Sequence, residues 1–217
     1  TANSEYIARK IEKRYGVNAT VIYPGISKEC FENISQERKD LVKKKYDIEG
    51  EFVVSRLYDY KRIDWAIRAC ISSGKQLVIV GDGPDLKYLK DVAKGNPLVK
   101  FLGFVKDDSE VRVLFNISEV LLFCGIEDFG LVPVEAMAQG TPVFAYSEGG
   151  VLETVKEGIC GEFFKNEEEL LELLKKFEKR GYNPREIVKR AKDFTEEKFL
   201  DNLERYLSKV YDTERKK

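Results

Sequence analysis

Histidine is absent from all 217 residues. Its absence removes the commonest general base, the commonest metal ligand and every Ser/His or Cys/His catalytic arrangement. Any chemistry must therefore run on carboxylates, lysine, arginine or backbone groups. Cysteine is sparse: Cys30, Cys70, Cys124 and Cys160 lie far apart, with neither a C-x-x-C pair nor the dense spacing of a secreted disulfide scaffold. Reduced, mostly buried thiols in a cytoplasmic protein are expected. Long apolar runs are also missing. The longest, Val120 to Cys124, falls far short of the roughly 20 residues that cross a bilayer, and no basic and apolar leader opens the chain, so no membrane span is expected. Nor is there an excess of charge of one sign: 37 Lys and Arg against 38 Asp and Glu leave a formal charge of -1, with nothing global to select nucleic acid or acidic lipid. Phosphate recognition, if present, has to be local. Internal repeats and low-complexity stretches are absent. Neither G-x-G-x-x-G nor G-x-x-x-x-G-K-[ST] follows any candidate strand, which argues against dehydrogenase and P-loop chemistry.

What is present is a globular composition, 43% hydrophobic and 35% charged, enough to bury a substantial core under a charged surface. The length suits one large domain, or one domain with extra pieces. Short apolar runs alternate with amphipathic stretches from about residue 50 to 165. Candidate strands are Thr20 to Tyr23, Phe52 to Ser55, Gln76 to Val80, Val99 to Leu102, Val120 to Phe123, Pro142 to Ala145 and Gly161 to Phe163. Most are continuously apolar, as parallel strands covered on both faces should be. Between them run expected helices over Arg62 to Ser73, Pro84 to Lys94, Ser109 to Asn116, Pro133 to Gln139 and Gly150 to Glu157. Flanking helices are expected over Glu5 to Tyr15, Ser35 to Tyr46, Asn166 to Arg180, Pro184 to Asp193 and Thr195 to Tyr211, followed by a charged tail, Glu214 to Lys217. Repeated strand–helix–strand units imply right-handed crossovers and an α/β fold, a Rossmann-like doubly wound parallel sheet.

In such a sheet, ligands bind at the carboxyl ends of the strands, so the segments just after each strand matter most. One is Arg56-Leu57-Tyr58-Asp59-Tyr60-Lys61-Arg62, whose planar guanidinium and point-charge ammonium together suit a diphosphate. A second runs from Gly125 to Gly140, with Glu127 in the loop and Glu135 in the first turn of a helix opened by Pro133. The amides of Phe129, Gly130 and Leu131 approach the positive end of that helix, where an anion or sugar hydroxyls would be held. A third, Ser147-Glu148-Gly149-Gly150, would let a phosphate come close to backbone or simply turn the chain. The loop Gly103-Phe104-Val105-Lys106 would line a base pocket or pack in the core.

Taken in order, these residues resemble the C-terminal, donor-binding half of retaining glycosyltransferases of the two-domain GT-B architecture, the large family-four group (glycosyl transferases group 1). The resemblance runs through Asn3-Ser4-Glu5-Tyr6, Tyr23-Pro24-Gly25-Ile26, Ser55-Arg56-Leu57 with Lys61, and Gly81-Asp82-Gly83-Pro84. Glu127 and Glu135 match the family's E-x7-E pattern, followed by Gly140-Thr141-Pro142-Val143 and Gly149-Gly150. The family implies that Arg56 and Lys61 bind the donor diphosphate and Glu135 the ribose. Glu127, with the amides of Phe129 to Leu131, would hold the transferred hexose, Val132 would belong to the same nucleotide-sugar site, and Val105 and Lys106 would lie beside the base. It further implies catalysis by Arg56, Lys61 and Glu127 without a covalent nucleophile, without metal and without a cofactor, the nucleotide sugar being the substrate.

Measured against complete family members, the sequence lacks an N-terminal acceptor domain. The resemblance therefore divides the chain into residues 1-18, a crossing segment from that missing domain; 19-194, the nucleotide-sugar donor domain; and 195-217, the C-terminal crossing helix and tail. The chain is expected to fold and bind nucleotide weakly, to transfer no sugar by itself, and to expose apolar surface near both termini. Among relatives, the Ile126 to Leu131 loop and Tyr58-Asp59-Tyr60-Lys61-Arg62 look most like mannosyltransferases of O-antigen and other cell-surface polysaccharide synthesis, implying GDP-mannose, with a UDP- or ADP-sugar left open. The acceptor would be a glycan or a lipid-linked saccharide reached through the missing domain, in a cytoplasmic protein that touches membranes through that domain. Two other readings stand beside it: half of a nucleotide-sugar 2-epimerase, and a noncatalytic α/β interaction or regulatory domain that binds no nucleotide. The last predicts that Arg56, Lys61, Glu127 and Glu135 do not converge.

Overall fold

The structure, a computed structural model, describes residues 1–48, 51–178 and 181–215. The end of the expected 166–180 helix and the last two residues of the expected charged tail lie outside the described residues. Six parallel strands, β1 (Glu51–Val54), β2 (Leu77–Val80), β3 (Val99–Gly103), β4 (Leu121–Phe123), β5 (Val143–Tyr146) and β6 (Gly161–Phe164), form one sheet in the order β3-β2-β1-β4-β5-β6. That order reverses between β1 and β4, which places the topological switch point there.

The alternating pleat explains why both faces are apolar. On one face Val78, Val80, Leu121, Phe123, Val143 and Ala145 meet α2 (Gln36–Tyr46), α5 (Asp108–Ile117), α6 (Leu131–Ala138), α7 (Val151–Thr154) and α9 (Pro184–Ala191). On the other, Leu77, Ile79, Leu122, Phe144 and Phe164 meet α3 (Ile63–Ser73), α4 (Leu86–Ala93) and α8 (Glu167–Lys176). Successive residues of one strand thus enter different cores, and a continuous apolar run is what a two-sided strand requires. Three thiols, Cys70, Cys124 and Cys160, are buried within these layers; Cys30 is half-buried, and all four are free.

Several expected boundaries move. Thr20 to Tyr23 is not a strand of the sheet: it makes a single bridge, Ala2 to Val21, beside α1 (Glu5–Tyr15). Its apolar residues cover a flank of the domain rather than extend the ladder. The helix expected from Pro133 begins at Leu131, so Pro133 is its third residue, where the missing N–H still has no intrahelical acceptor to lose. Likewise α4 begins at Leu86 after a turn that contains Pro84. The helix expected from Gly150 to Glu157 shortens to Val151–Thr154, because Val155 adopts an extended conformation. The last helix, α10 (Glu196–Glu214), runs longer than expected. No helix among the described residues is long and apolar enough to cross a membrane.

Candidate functional site

The two loops that leave β1 and β4 at the switch point face one another. Ser55 and Leu57 continue the β1–β2 pairing past the strand end: Ser55 N–H donates to Val80 at 3.0 Å and Leu57 N–H to Asp82 at 3.0 Å. Leu57 is fully buried, so its neighbour Arg56 is turned out to solvent. Gly83 lies so close to this loop that a Cβ there would stand 2.4 Å from the Leu57 carbonyl oxygen. A short 3-10 turn, Asp59–Lys61, then brings the chain back, and Lys61 returns beside Arg56.

The facing loop carries Glu127. Its carbonyl accepts the Gly150 N–H at 2.9 Å, and a Cβ on Gly150 would stand 2.2 Å from the Asp128 carbonyl oxygen. Gly149-Gly150 is thus a packing surface for the Glu127 loop, which favours its structural role over a phosphate cradle. Phe129 is buried and anchors the loop from beneath, with ring centroids 5.7 Å from Tyr23 and 5.5 Å from Phe194. Only the backbone of Phe129 remains for a ligand. Beyond it α6 starts without a side-chain cap, and the amides of Gly130, Leu131 and Val132 find no acceptor among the described residues. This is a free set of donors at the positive end of a helix.

Between the loops lies a cleft of about 510 Å³, lined by Asn3, Pro24, Ser55, Arg56, Lys61, Phe123, Glu127, Asp128 and the residues from Phe129 to Val132. Seven of the residues singled out in the sequence, Arg56, Lys61, Glu127, Phe129, Gly130, Leu131 and Val132, converge on it. Two larger surface hollows, of about 630 and 800 Å³, flank α10, and neither is lined by the loops that leave β1 and β4. Asn3, Pro24, Ser55, Phe123 and Asp128 join the cleft without a role having been assigned to them. Asn3 and Pro24 come from distant chain, and only the fold brings them there.

Electrostatics within the cleft are tightly coupled. The Lys61 ammonium pairs with the Glu127 carboxylate, the lysine side chain being 11% exposed. Burial, and then the neighbouring Arg56 guanidinium, push Lys61 down to about 8. The Glu127 contact opposes that displacement, since an opposite charge favours the ammonium.

Glu135, Val105 and Lys106 do not line this cleft. Because α6 begins at Leu131, Glu135 sits one turn inside the helix. Its carboxyl is raised above the ordinary value, first by burial and then by Asp108, the first residue of α5. It has no hydrogen-bonding or ion-pair partner among the described residues. Asp108 follows the β3–α5 connection that carries Val105 and Lys106, and Glu135 is also near enough to Cys30 to help raise its thiol. Val105 is buried in the core and Lys106 is exposed.

A six-stranded sheet in this order, with a cationic loop and an acidic loop opposed at its switch point, is the fold of the GT-B glycosyltransferases. Residues 34–194 match the family model for glycosyl transferases group 1, and the chain belongs to that family. It is 31% identical over 181 residues to the alpha-monoglucosyldiacylglycerol synthase of Acholeplasma laidlawii, covering 76% of this chain and 45% of the relative. It is also 31% identical over 180 residues to a GDP-mannose-dependent alpha-(1-6)-phosphatidylinositol monomannoside mannosyltransferase of Mycobacterium tuberculosis, covering 73% of this chain and 46% of that protein. Among solved structures, Anabaena HepE in complex with UDP and glucose superposes with a TM-score of 0.83 at 22% identity, covering 96% of this chain and 62% of that one. The chain thus spans about half the length of the curated relatives it matches.

Proposed function

We propose that this chain is the nucleotide-sugar donor domain of a retaining hexosyltransferase, with GDP-mannose as donor and a glycan or lipid-linked saccharide as acceptor. The observation that carries this reading is the convergence of Arg56, Lys61 and Glu127 on one cleft at the switch point, beside the uncapped start of α6. In the free protein Lys61 and Glu127 neutralise each other. A bound donor separates them: the diphosphate takes Lys61 and Arg56, and the hexose hydroxyls take Glu127 and the free amides from Gly130 to Val132. Glu135, unpartnered among the described residues and with Asp108 nearby, would accept the ribose hydroxyls, with Val105 and Lys106 beside the base.

Transfer breaks the bond between the anomeric carbon and the donor phosphate oxygen. Positive charge grows on the sugar ring and negative charge on the departing diphosphate. Arg56, Lys61 and the α6 amides lie where that negative charge develops and stabilise it there. Glu127 fixes the sugar, so that orientation supplies much of the remaining acceleration. The acceptor hydroxyl attacks from the face that the phosphate leaves, and the phosphate oxygen takes its proton. No histidine is required for any of these steps.

Residues 1-18 and 195-217 belong, in this proposal, to the connections with an acceptor domain, and 19-194 to the donor domain. Support for mannose comes from the relative described as GDP-mannose-dependent, whereas UDP was found in a structural neighbour. The test is selective binding of GDP over UDP and ADP by this chain, abolished by Arg56→Ala. Selective UDP binding would replace the mannose donor with a UDP-sugar.

A further inference from the structure

Arg62 has an arrangement that neither ion pairing nor helix formation accounts for. It is one of three non-glycine residues with positive φ among the described residues, at φ 49° and ψ 39°. A side chain with a Cβ is disfavoured in that left-handed conformation. As the residue preceding α3 it also puts a cation at the positive end of a helix, where an anion is preferred. Its Nη1 is buried and hydrogen-bonds nothing among the described residues, a further unfavourable feature. The guanidinium instead lies 4.3 Å from the Tyr146 ring centroid and 5.1 Å from that of Trp65, and those rings meet edge to face at 5.9 Å.

The position of this stack suggests its use. Lys61 immediately precedes Arg62, and the left-handed step closes the 3-10 turn: Arg62 N–H donates to Asp59 at 2.9 Å and its carbonyl accepts from Trp65 at 3.1 Å. Tyr146 ends β5, and the chain that leaves it reaches Gly150, which donates to the Glu127 carbonyl. One strand end thus holds the turn carrying Lys61 on one side and the loop carrying Glu127 on the other.

We infer that Arg62 is a positioning residue, whose left-handed turn, pinned to β5 by stacking on Tyr146, delivers the Lys61 ammonium into the cleft opposite Glu127. The consequence for catalysis rests on the proposed role of Lys61 as a diphosphate ligand; the positioning itself does not.

Two variants separate turn geometry from charge. Arg62→Ala and Arg62→Gly both remove the guanidinium, but only glycine keeps the left-handed turn without penalty. The groups facing Lys61 are Arg56, Glu127 and the Tyr60 ring, and they are the same in both variants. Lys61 titration, followed by NMR of the lysine side chain, is the readout that a merely structural role would leave unmoved. It should rise from about 8 toward the ordinary lysine value in Arg62→Ala, as the ammonium swings into solvent, and stay low in Arg62→Gly. GDP affinity should fall about tenfold in the alanine variant and stay within about twofold of the parent in the glycine variant. An unchanged Lys61 titration in Arg62→Ala, or glycine and alanine variants that behave alike, would overturn the inference. If the parent chain binds no GDP, the GDP-mannose donor fails while the Lys61 titration still decides the role of Arg62.

Discussion

Lys61 and Glu135 are both held in states that the free fold disfavours, in opposite senses of charge. For Lys61 the folded state releases its proton at a lower pH than the unfolded chain does. Between about 8 and the ordinary lysine value the unfolded state binds more protons, so stability should rise with pH across that window. Affinity for a diphosphate should move the other way and decline as pH passes the Lys61 titration. Replacing its partner with Glu127→Gln removes an opposite charge in contact with the ammonium and should lower the Lys61 titration relative to the parent. NMR titration of the lysine side chains checks this, and a rise would contradict the pairing. Glu135 is the mirror case. Its carboxyl is raised by burial and by Asp108, so stability is lost as pH climbs from the ordinary carboxylate value through the raised one. Glu135→Gln should therefore stabilise the unliganded chain at neutral pH while weakening nucleotide binding by about tenfold or more. Chemical denaturation beside a binding titration separates the two effects. An unaltered affinity would remove Glu135 from the site.

At the scale of elements, what positions the cleft is backbone packed on backbone. Gly150 has φ -67°, which any residue adopts, so conformation alone would favour alanine there. Space decides otherwise, because a Cβ would stand 2.2 Å from the Asp128 carbonyl oxygen. Gly150→Ala should cost about 2–3 kcal/mol and displace the Glu127 loop, with nucleotide affinity falling along with the denaturation midpoint. A variant as stable as the parent would contradict this packing. The same elements show where sequence patterns suffice. Two-sided strands such as Leu77–Val80 and Leu121–Phe123 read as apolar runs between turn signals, and both are strands of the sheet. Thr20 to Tyr23 has a similar pattern, yet only Val21 pairs, because a mostly apolar run of four residues does not distinguish a strand from a covering segment. Pro133 has the chemistry of a first helical residue, but a proline is equally tolerated at the third; with α6 starting at Leu131, Glu135 is its fifth residue, just over one turn along, and does not line the cleft. Arg56, Lys61 and Glu127 were legible because each follows a strand end. Asn3 and Pro24 carried part of the family resemblance but no site role, since nothing local shows which distant residues tertiary folding brings to a cleft.

At the scale of the molecule, the two ends of the chain share one character. Tyr15 and Val17 beside α1, and Leu200, Leu207, Val210 and Tyr211 on α10, are exposed large apolar residues, as the sequence led us to expect. The start of α1 is nonetheless fixed to the domain, its first amides donating to Glu153 at 2.7 and 2.8 Å. On the proposed function, this domain binds donor by itself and completes its reaction with groups supplied from elsewhere. The purified chain should therefore show no sugar transfer to exogenous saccharides, and measurable turnover would contradict the assignment of residues 19-194 as a donor domain alone. The most direct test of the central claim is thermal denaturation of this chain with GDP, UDP and ADP in parallel, beside Arg56→Ala. A nucleotide present at about 100 times its dissociation constant adds about 2.7 kcal/mol of stability. Stabilisation by GDP alone, lost in Arg56→Ala, is the predicted result; no stabilisation by any of the three at millimolar concentration would contradict a nucleotide site in this cleft.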